Sequence, residues 1–223
     1  IWVQNIDGYS ERDYGKNRDM QIGMLPPRLA QIMINISSPL PLGEGLGVRA
    51  FYDPFVWLGT ILIEADLMWY KELYGSDVSE NMVEISKNNI NNKRVNIFKQ
   101  NAKYIGEVDF LVKNEDICIV TEWYLWEVMT QKNISLERIE RQKSSLADLY
   151  EWFFSWLLKQ NFLWDIVICF PFWEIEKKYI YFDDIYRILA KYCEIQWFFP
   201  ADFVCNATKM GSLLYKRKTQ LVW

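Results

Sequence analysis

Between residues 48 and 99 short apolar runs alternate with helix-length segments, and nothing else in the sequence restricts the fold so tightly. Strand-like Val48 to Tyr52, helical Thr60 to Met68, strand-like Glu72 to Ser76, helical Glu80 to Ile90 and strand-like Val95 to Lys99 read β-α-β-α-β. Adjacent parallel strands need a long crossover, and a helix is the usual one. The pattern therefore predicts an α/β fold built on a mostly parallel, doubly wound sheet.

The flanking sequence extends the same pattern. In MLPPRLAQIMINI the prolines stand at the first helical positions, where a missing N–H costs little, and Leu29, Ile32, Met33 and Ile36 are expected on one apolar face. SSPLPLGEGLG follows as a loop. Beyond residue 99 come strand Ile117 to Thr121, a long helix Leu136 to Lys159, strand Ile166 to Phe170, helix Asp183 to Tyr192 and strand Glu194 to Phe199. A terminal pair around Ser212 to Tyr215 is expected to finish the sheet as a C-terminal antiparallel hairpin.

A chain of 223 residues, 51% hydrophobic and 24% charged, suits one globular domain over residues 1 to 223. It contains no histidine, which excludes histidine-based triads and histidine metal sites and removes the commonest general base. Cys118, Cys169, Cys193 and Cys205 show no C-x-x-C spacing, so reduced thiols are expected and no metal. The longest apolar runs fall short of the roughly 20 residues that span a bilayer. The first residues carry no signal-peptide pattern, so a cytoplasmic protein is expected. A net charge of −4 argues against strong nucleic-acid binding by this segment alone.

Candidate chemistry gathers where strands end. In AFYDPFVWLGTILIEA, residues 50 to 65, a strand closing on Asp53-Pro54 runs through a tight turn to Gly59-Thr60 and then a helix. In a doubly wound sheet this brings backbone amides to a ligand at the strand's carboxyl end. The second strand leads into Asp77-Val78, where a carboxylate can accept both hydroxyls of a ribose. Each feature also has a local explanation, Asp53-Pro54 as a strand-ending turn and Asp77 as a helix-capping residue. After the third strand comes KQNAKYI, with Asn101-Ala102, and after the fourth IVTEWYLWE, with Glu122 and Tyr124.

Taken together, these segments resemble the class I, Rossmann-like methyltransferases. DPFVWLGT is similar to their D-P-F-C-G-S-G-T motif, and RDMQIGMLPPRLAQIMINI resembles the preceding helix of THUMP-associated tRNA guanine-N2 methyltransferases. The likeness runs over essentially the whole chain. It implies S-adenosyl-L-methionine as cofactor, with Asp53 and Pro54 near its methionine amine, Trp57, Gly59 and Thr60 forming the turn, Asp77 and Val78 at the ribose, and Asn101 and Ala102 at the adenine. Asn101 stands where the family usually has Asp. Glu122 falls on the carboxylate of the family's T-D-P-P-Y-G tetrapeptide, whose two prolines are missing here. The resemblance implies that Glu122 and a main-chain carbonyl accept hydrogen bonds from an exocyclic guanine amine while Tyr124 stacks on the base. It also implies tRNA as partner, reached through an N-terminal THUMP domain that is expected to be missing, since the chain starts at Ile1 and stops abruptly at Trp223.

Eleven tryptophans are many for this length, and four stand where glycine is expected. Trp57 occupies the first glycine of the cofactor turn. Trp69 follows a helix end where a glycine cap belongs, and glycine at 123 and 126 would give T-E-G-Y-L-G-E. One explanation covers all four: a gene from a lineage that reads UGA as glycine, translated with UGA as tryptophan. Trp173, in FPFWE, is expected to be a genuine UGG tryptophan. The alternatives are a diverged enzyme, an amino-methyltransferase acting on DNA adenine or a protein amide, and a domain that kept the fold and lost the cofactor site.

Overall fold

A computed structural model describes Gly8 and residues 25–37, 50–90, 94–108, 117–122, 129, 133–162, 165–194, 215–216 and 221–222. Its centre is a parallel five-stranded sheet of β1 (Ala50–Asp53), β2 (Leu73–Asp77), β3 (Val95–Lys99), β4 (Ile117–Thr121) and β5 (Ile166–Ile168), in the order β3-β2-β1-β4-β5. This is the doubly wound, Rossmann-like arrangement. Every residue of β1 and β4 is buried, because helices cover both faces of the sheet and leave no strand face for polar residues.

On one face lie α1 (Pro27–Ser37), α2 (Thr60–Leu67) and α3 (Glu80–Asn89). α1 enters through Pro26 and Pro27, as the sequence suggests, but its buried face is not the expected one. Ala30, Met33, Ile34 and Ser37 are buried, Leu29 and Ile36 are half-buried, and Ile32 is exposed. A periodicity that counts only large apolar residues misses the small Ala30 and Ser37, which permit close packing against the sheet and α2. Gln31 also donates to the fully buried Glu64 of α2 at 2.7 Å.

The other face carries a 3₁₀ segment, Ala102–Glu107, with α4 (Leu136–Lys159) and α5 (Asp184–Tyr192). Tyr150, Phe153 and Phe154 of α4 form a ring cluster with Phe55, at the end of β1, and with Phe170 and Phe182. Such pairs contribute about 1 kcal/mol each beyond the area they bury. The cluster fixes α4 beside the carboxyl ends of the strands.

Most expected strands and helices appear with ends shifted by one or two residues. The predicted strand Glu194 to Phe199 lies outside the described residues except Glu194, which is in no strand. The unexpected element is a hairpin of β6 (Phe172–Ile175) and β7 (Lys178–Tyr181), hidden in the sequence because its two-residue turn, Glu176-Lys177, takes positive φ at both positions without asparagine or glycine. At the C-terminus β8 (Tyr215–Lys216) pairs antiparallel with β9 (Leu221–Val222). This is the expected hairpin, but it forms its own two-stranded sheet instead of finishing the main one.

The end of α2 bears directly on the tryptophans. Tyr70 N–H bonds back to Ala65 O at 3.2 Å and Trp69 N–H to Asp66 O at 3.0 Å, a Schellman closure with Trp69 at its left-handed position, φ 69°. α4 closes in the same way, but there the left-handed residue is Asn161, which tolerates the conformation. The Trp69 side chain is 88% exposed and recovers little by packing. Trp69→Gly should therefore stabilise the fold by about 1 kcal/mol, measured by urea unfolding. No gain in midpoint would count against strain at this position. Trp173 is different, since it is buried in β6 and its indole N–H donates to Gln142 at 3.1 Å.

Candidate functional site

The strand order reverses between β1 and β4, and ligands of doubly wound sheets bind outside the carboxyl ends at such a point. The turn leaving β1 is held from both sides. Val56 N–H donates to Ser76 O at 2.9 Å, Gly59 N–H to Val56 O at 2.7 Å, and Asn89 of α3 donates its amide to Leu58 O at 3.2 Å. Gly59 has φ 81°, and a Cβ there would meet Ile90 Cδ1 at 2.8 Å. Gly59→Ala should cost about 1–3 kcal/mol in denaturant unfolding. A neutral result would mean the turn is more pliable than its contacts imply.

Trp57 sits in this turn at φ 47°, and its N–H reaches the Asp77 carboxylate at 3.3 Å. The other Asp77 oxygen accepts from Ser79 N–H at 2.9 Å. Asp77 is buried, which pushes its carboxyl above the usual carboxylate range, with these amide bonds opposing the shift. It lies beneath the turn as a strut between the first two crossovers.

Asp53 is the most unusual group. It is buried, and its Oδ1 accepts from the Thr121 hydroxyl at 2.6 Å and from Phe55 N–H at 3.1 Å. The Thr121 hydrogen is shared with the main-chain carbonyl of Glu122, 3.0 Å away. Burial raises the Asp53 pKa to about 7, the Thr121 and Phe55 bonds lower it in part, and the Asp77 charge adds to the rise. A buried carboxylate that titrates near neutrality, at a strand's carboxyl end, is suited to meet a cationic ligand group.

Two hollows lie at this edge of the sheet, and Asp53 lines the smaller. A cleft of about 370 Å³ is lined by Pro54, Phe55, Val78, Asn101, Ala102 and Lys103 on the strand side, with Ser145, Leu146, Asp148 and Leu149 of α4 opposite. That volume lies within the range of small-ligand sites. Asn101 accepts from Lys103 N–H at 3.0 Å and so starts the 3₁₀ segment. The second hollow, between Asp53, Trp57, Thr60 and Glu122, measures only about 10 Å³, barely room for one water.

The sequence-derived residues thus fall into three groups. Pro54, Val78, Asn101 and Ala102 line the open cleft, while Asp53, Trp57, Thr60 and Glu122 surround the pinched hollow. Gly59 and Asp77 shape the turn and line neither. Tyr124, Trp123 and Trp126 lie outside the described residues. Sequence reasoning missed Thr121, which holds Asp53, and the α4 wall. A threonine ending a buried strand was a signal for the first, whereas nothing in a helical stripe announced the second. Among the described residues Cys118, Cys169 and Cys193 form no disulfide, no group of His, Cys, Asp or Glu is placed to hold a metal ion, and no helix is long and apolar enough to cross a membrane.

No protein-family model matches the chain. Over 136 residues, 56% of its length, it is 30% identical to the tRNA (guanine(10)-N2)-dimethyltransferase of Pyrococcus abyssi. The chain spans 35% of that relative's own length. Among solved structures it resembles TrmN from Thermus thermophilus, at 17% identity over 68% of this chain and 40% of that one, TM-score 0.48. It also resembles the magnesium protoporphyrin IX methyltransferase of Synechocystis, crystallised with bound SAM, at 15% identity over 86% and 88% of the two chains, TM-score 0.44. Likeness this loose adds nothing to the fold, which rests on the strand order.

Proposed function

We propose that this chain is the catalytic domain of an S-adenosyl-L-methionine-dependent methyltransferase that modifies the exocyclic N2 amine of a guanine in tRNA. The observation that carries the reading is the cleft beyond the carboxyl ends of β1, β2 and β3, walled by four of the expected cofactor residues, with the buried Asp53 next in sequence to its Pro54. The tRNA methyltransferase relative supports the substrate class.

The donor set fits the nucleoside half of the cofactor. Pro54, Val78, Asn101 and Ala102 would hold the adenosine and Asp53 the methionine amine, while Asp77, the residue expected at the ribose, lines neither hollow and would act there only by bracing the turn. When bound, the cofactor supplies an electrophilic methyl on a sulfonium. Glu122 and a neighbouring main-chain carbonyl would draw on the hydrogens of the guanine amine, whose lone pair is delocalised into the ring, and hold it in line, with Tyr124 stacking on the base. Positioning supplies most of the effect. Because the chain is acidic, the reading gives the grip on tRNA to a separate N-terminal THUMP domain. Nucleoside mass spectrometry of tRNA from a deletion strain tests it: N2-methylguanosine should fall, and an unchanged level overturns the assignment.

The 10 Å³ hollow favours a second reading, a methyltransferase-fold domain that binds no cofactor. Here the residues do not fit, because Trp57 lines the space the methionine end requires. We attribute this to Trp57 standing in place of glycine. Its positive φ, shared with Trp69, supports that view and the UGA explanation behind it. UGG codons at 57, 69, 123 and 126 would end the UGA explanation.

A further inference from the structure

The α4 wall of the cleft plays no part in the cofactor motifs, yet it faces the same space. Ser145 and Asp148 are three residues apart, so they project from one side of α4, at the exposed margin above the buried Leu146 and Leu149. The aromatic contacts of Tyr150 and Phe153 with Phe55 hold this margin across from Asn101.

The two walls differ in what they can offer. Asn101 already spends its carbonyl oxygen on Lys103 N–H, so its NH₂ group is what it has left to donate. A 6-aminopurine presents both a ring nitrogen that accepts and an exocyclic amine that donates. The amine needs an acceptor. Among the described residues Asp148 carries the one carboxylate lining the cleft, and no group among them engages it.

We propose that Asp148 is the specificity determinant of this cleft: it accepts a hydrogen bond from the exocyclic amine of a 6-aminopurine nucleoside while the Asn101 amide donates to the ring, which selects against the 6-oxo purine. The inference rests on the cofactor reading above and deepens it. A carboxylate acceptor facing a 6-oxo group meets a second acceptor, and the loss of one charge-assisted bond is worth about tenfold in affinity.

The test uses Trp57→Gly as background, with calorimetric titration of S-adenosylhomocysteine and its 6-oxo counterpart, S-inosylhomocysteine. The background protein should prefer the 6-amino ligand by about tenfold. D148A should abolish that preference by weakening the 6-amino ligand, and D148N, whose amide can also donate, should shift it toward the 6-oxo ligand. Asp148 is exposed, so both variants should melt where the background does. A preference that persists unchanged in D148A, or none in the background, overturns the role of Asp148 while leaving the cofactor reading intact. Failure of the background protein to bind either ligand overturns the cofactor reading and this inference with it.

Discussion

Trp57→Gly is expected to turn a chain with no measurable affinity for S-adenosylhomocysteine into one that binds it in the micromolar range. Two separate costs fall on Trp57. Its backbone lies at φ 47°, where a side chain loses about 1–2 kcal/mol and glycine loses nothing. Its side chain also lines the hollow of about 10 Å³ that separates Asp53 from Glu122, so the space needed beside the buried carboxylate is closed. Glycine removes both. The bond from position 57 to Asp77 comes from the main-chain N–H and survives the change, as do the Val56 to Ser76 and Gly59 to Val56 bonds that hold the turn. Fold stability should therefore hold or rise. Calorimetry on both proteins decides the matter: micromolar binding by the unchanged chain would show that Trp57 is no obstruction, and no binding by the glycine variant would favour the non-catalytic domain.

The second large effect concerns Asp53. Its carboxyl titrates near 3.8 when unfolded and near 7 in the fold, so between those values the folded state keeps a proton that the unfolded state has lost. Stability must then fall as pH rises through that window, and the full penalty is present above the folded pKa. A shift of this size corresponds to about 4 kcal/mol, since the group is fully buried. Asp53→Asn keeps an oxygen for Thr121 and Phe55 but cannot ionise. It should be more stable than the parent by roughly 2–4 kcal/mol at pH 8 and no more stable at pH 4. Denaturant unfolding at the two pH values measures this, and a gain independent of pH would place the effect elsewhere. In the Trp57→Gly background the same substitution should abolish binding of S-adenosylhomocysteine. Ligand affinity with Asp53 intact should weaken as pH drops below 7, because the protonated carboxyl no longer attracts the ligand's ammonium. A stabilising substitution that destroys binding is what a strained functional group predicts.

How far the sequence could be read depended on the range of the interaction involved. The parallel sheet followed from the spacing of apolar runs, because burial on both faces writes an uninterrupted apolar strand into the sequence. The α2 cap was equally legible: a helix end with no glycine leaves a non-glycine residue at left-handed φ, as Trp69 shows. The α1 face was misjudged because Ala30 and Ser37 pack by being small, which periodicity does not register. The β6–β7 hairpin was missed because Glu176-Lys177 lacks turn chemistry.

Local order along the chain determined the fold class, the strand-ending turn with Asp53 and the turn positions of Trp57 and Trp69, since each depends on neighbours within a few residues. Only the tertiary structure decided that Thr121 holds Asp53 from 68 positions away, that Asp77 braces the turn instead of lining the cleft, and that α4 supplies the cleft's second wall. Those facts come from strands and helices brought together by burial. The energy that does so lies in contacts between segments, which no stretch of sequence displays by itself.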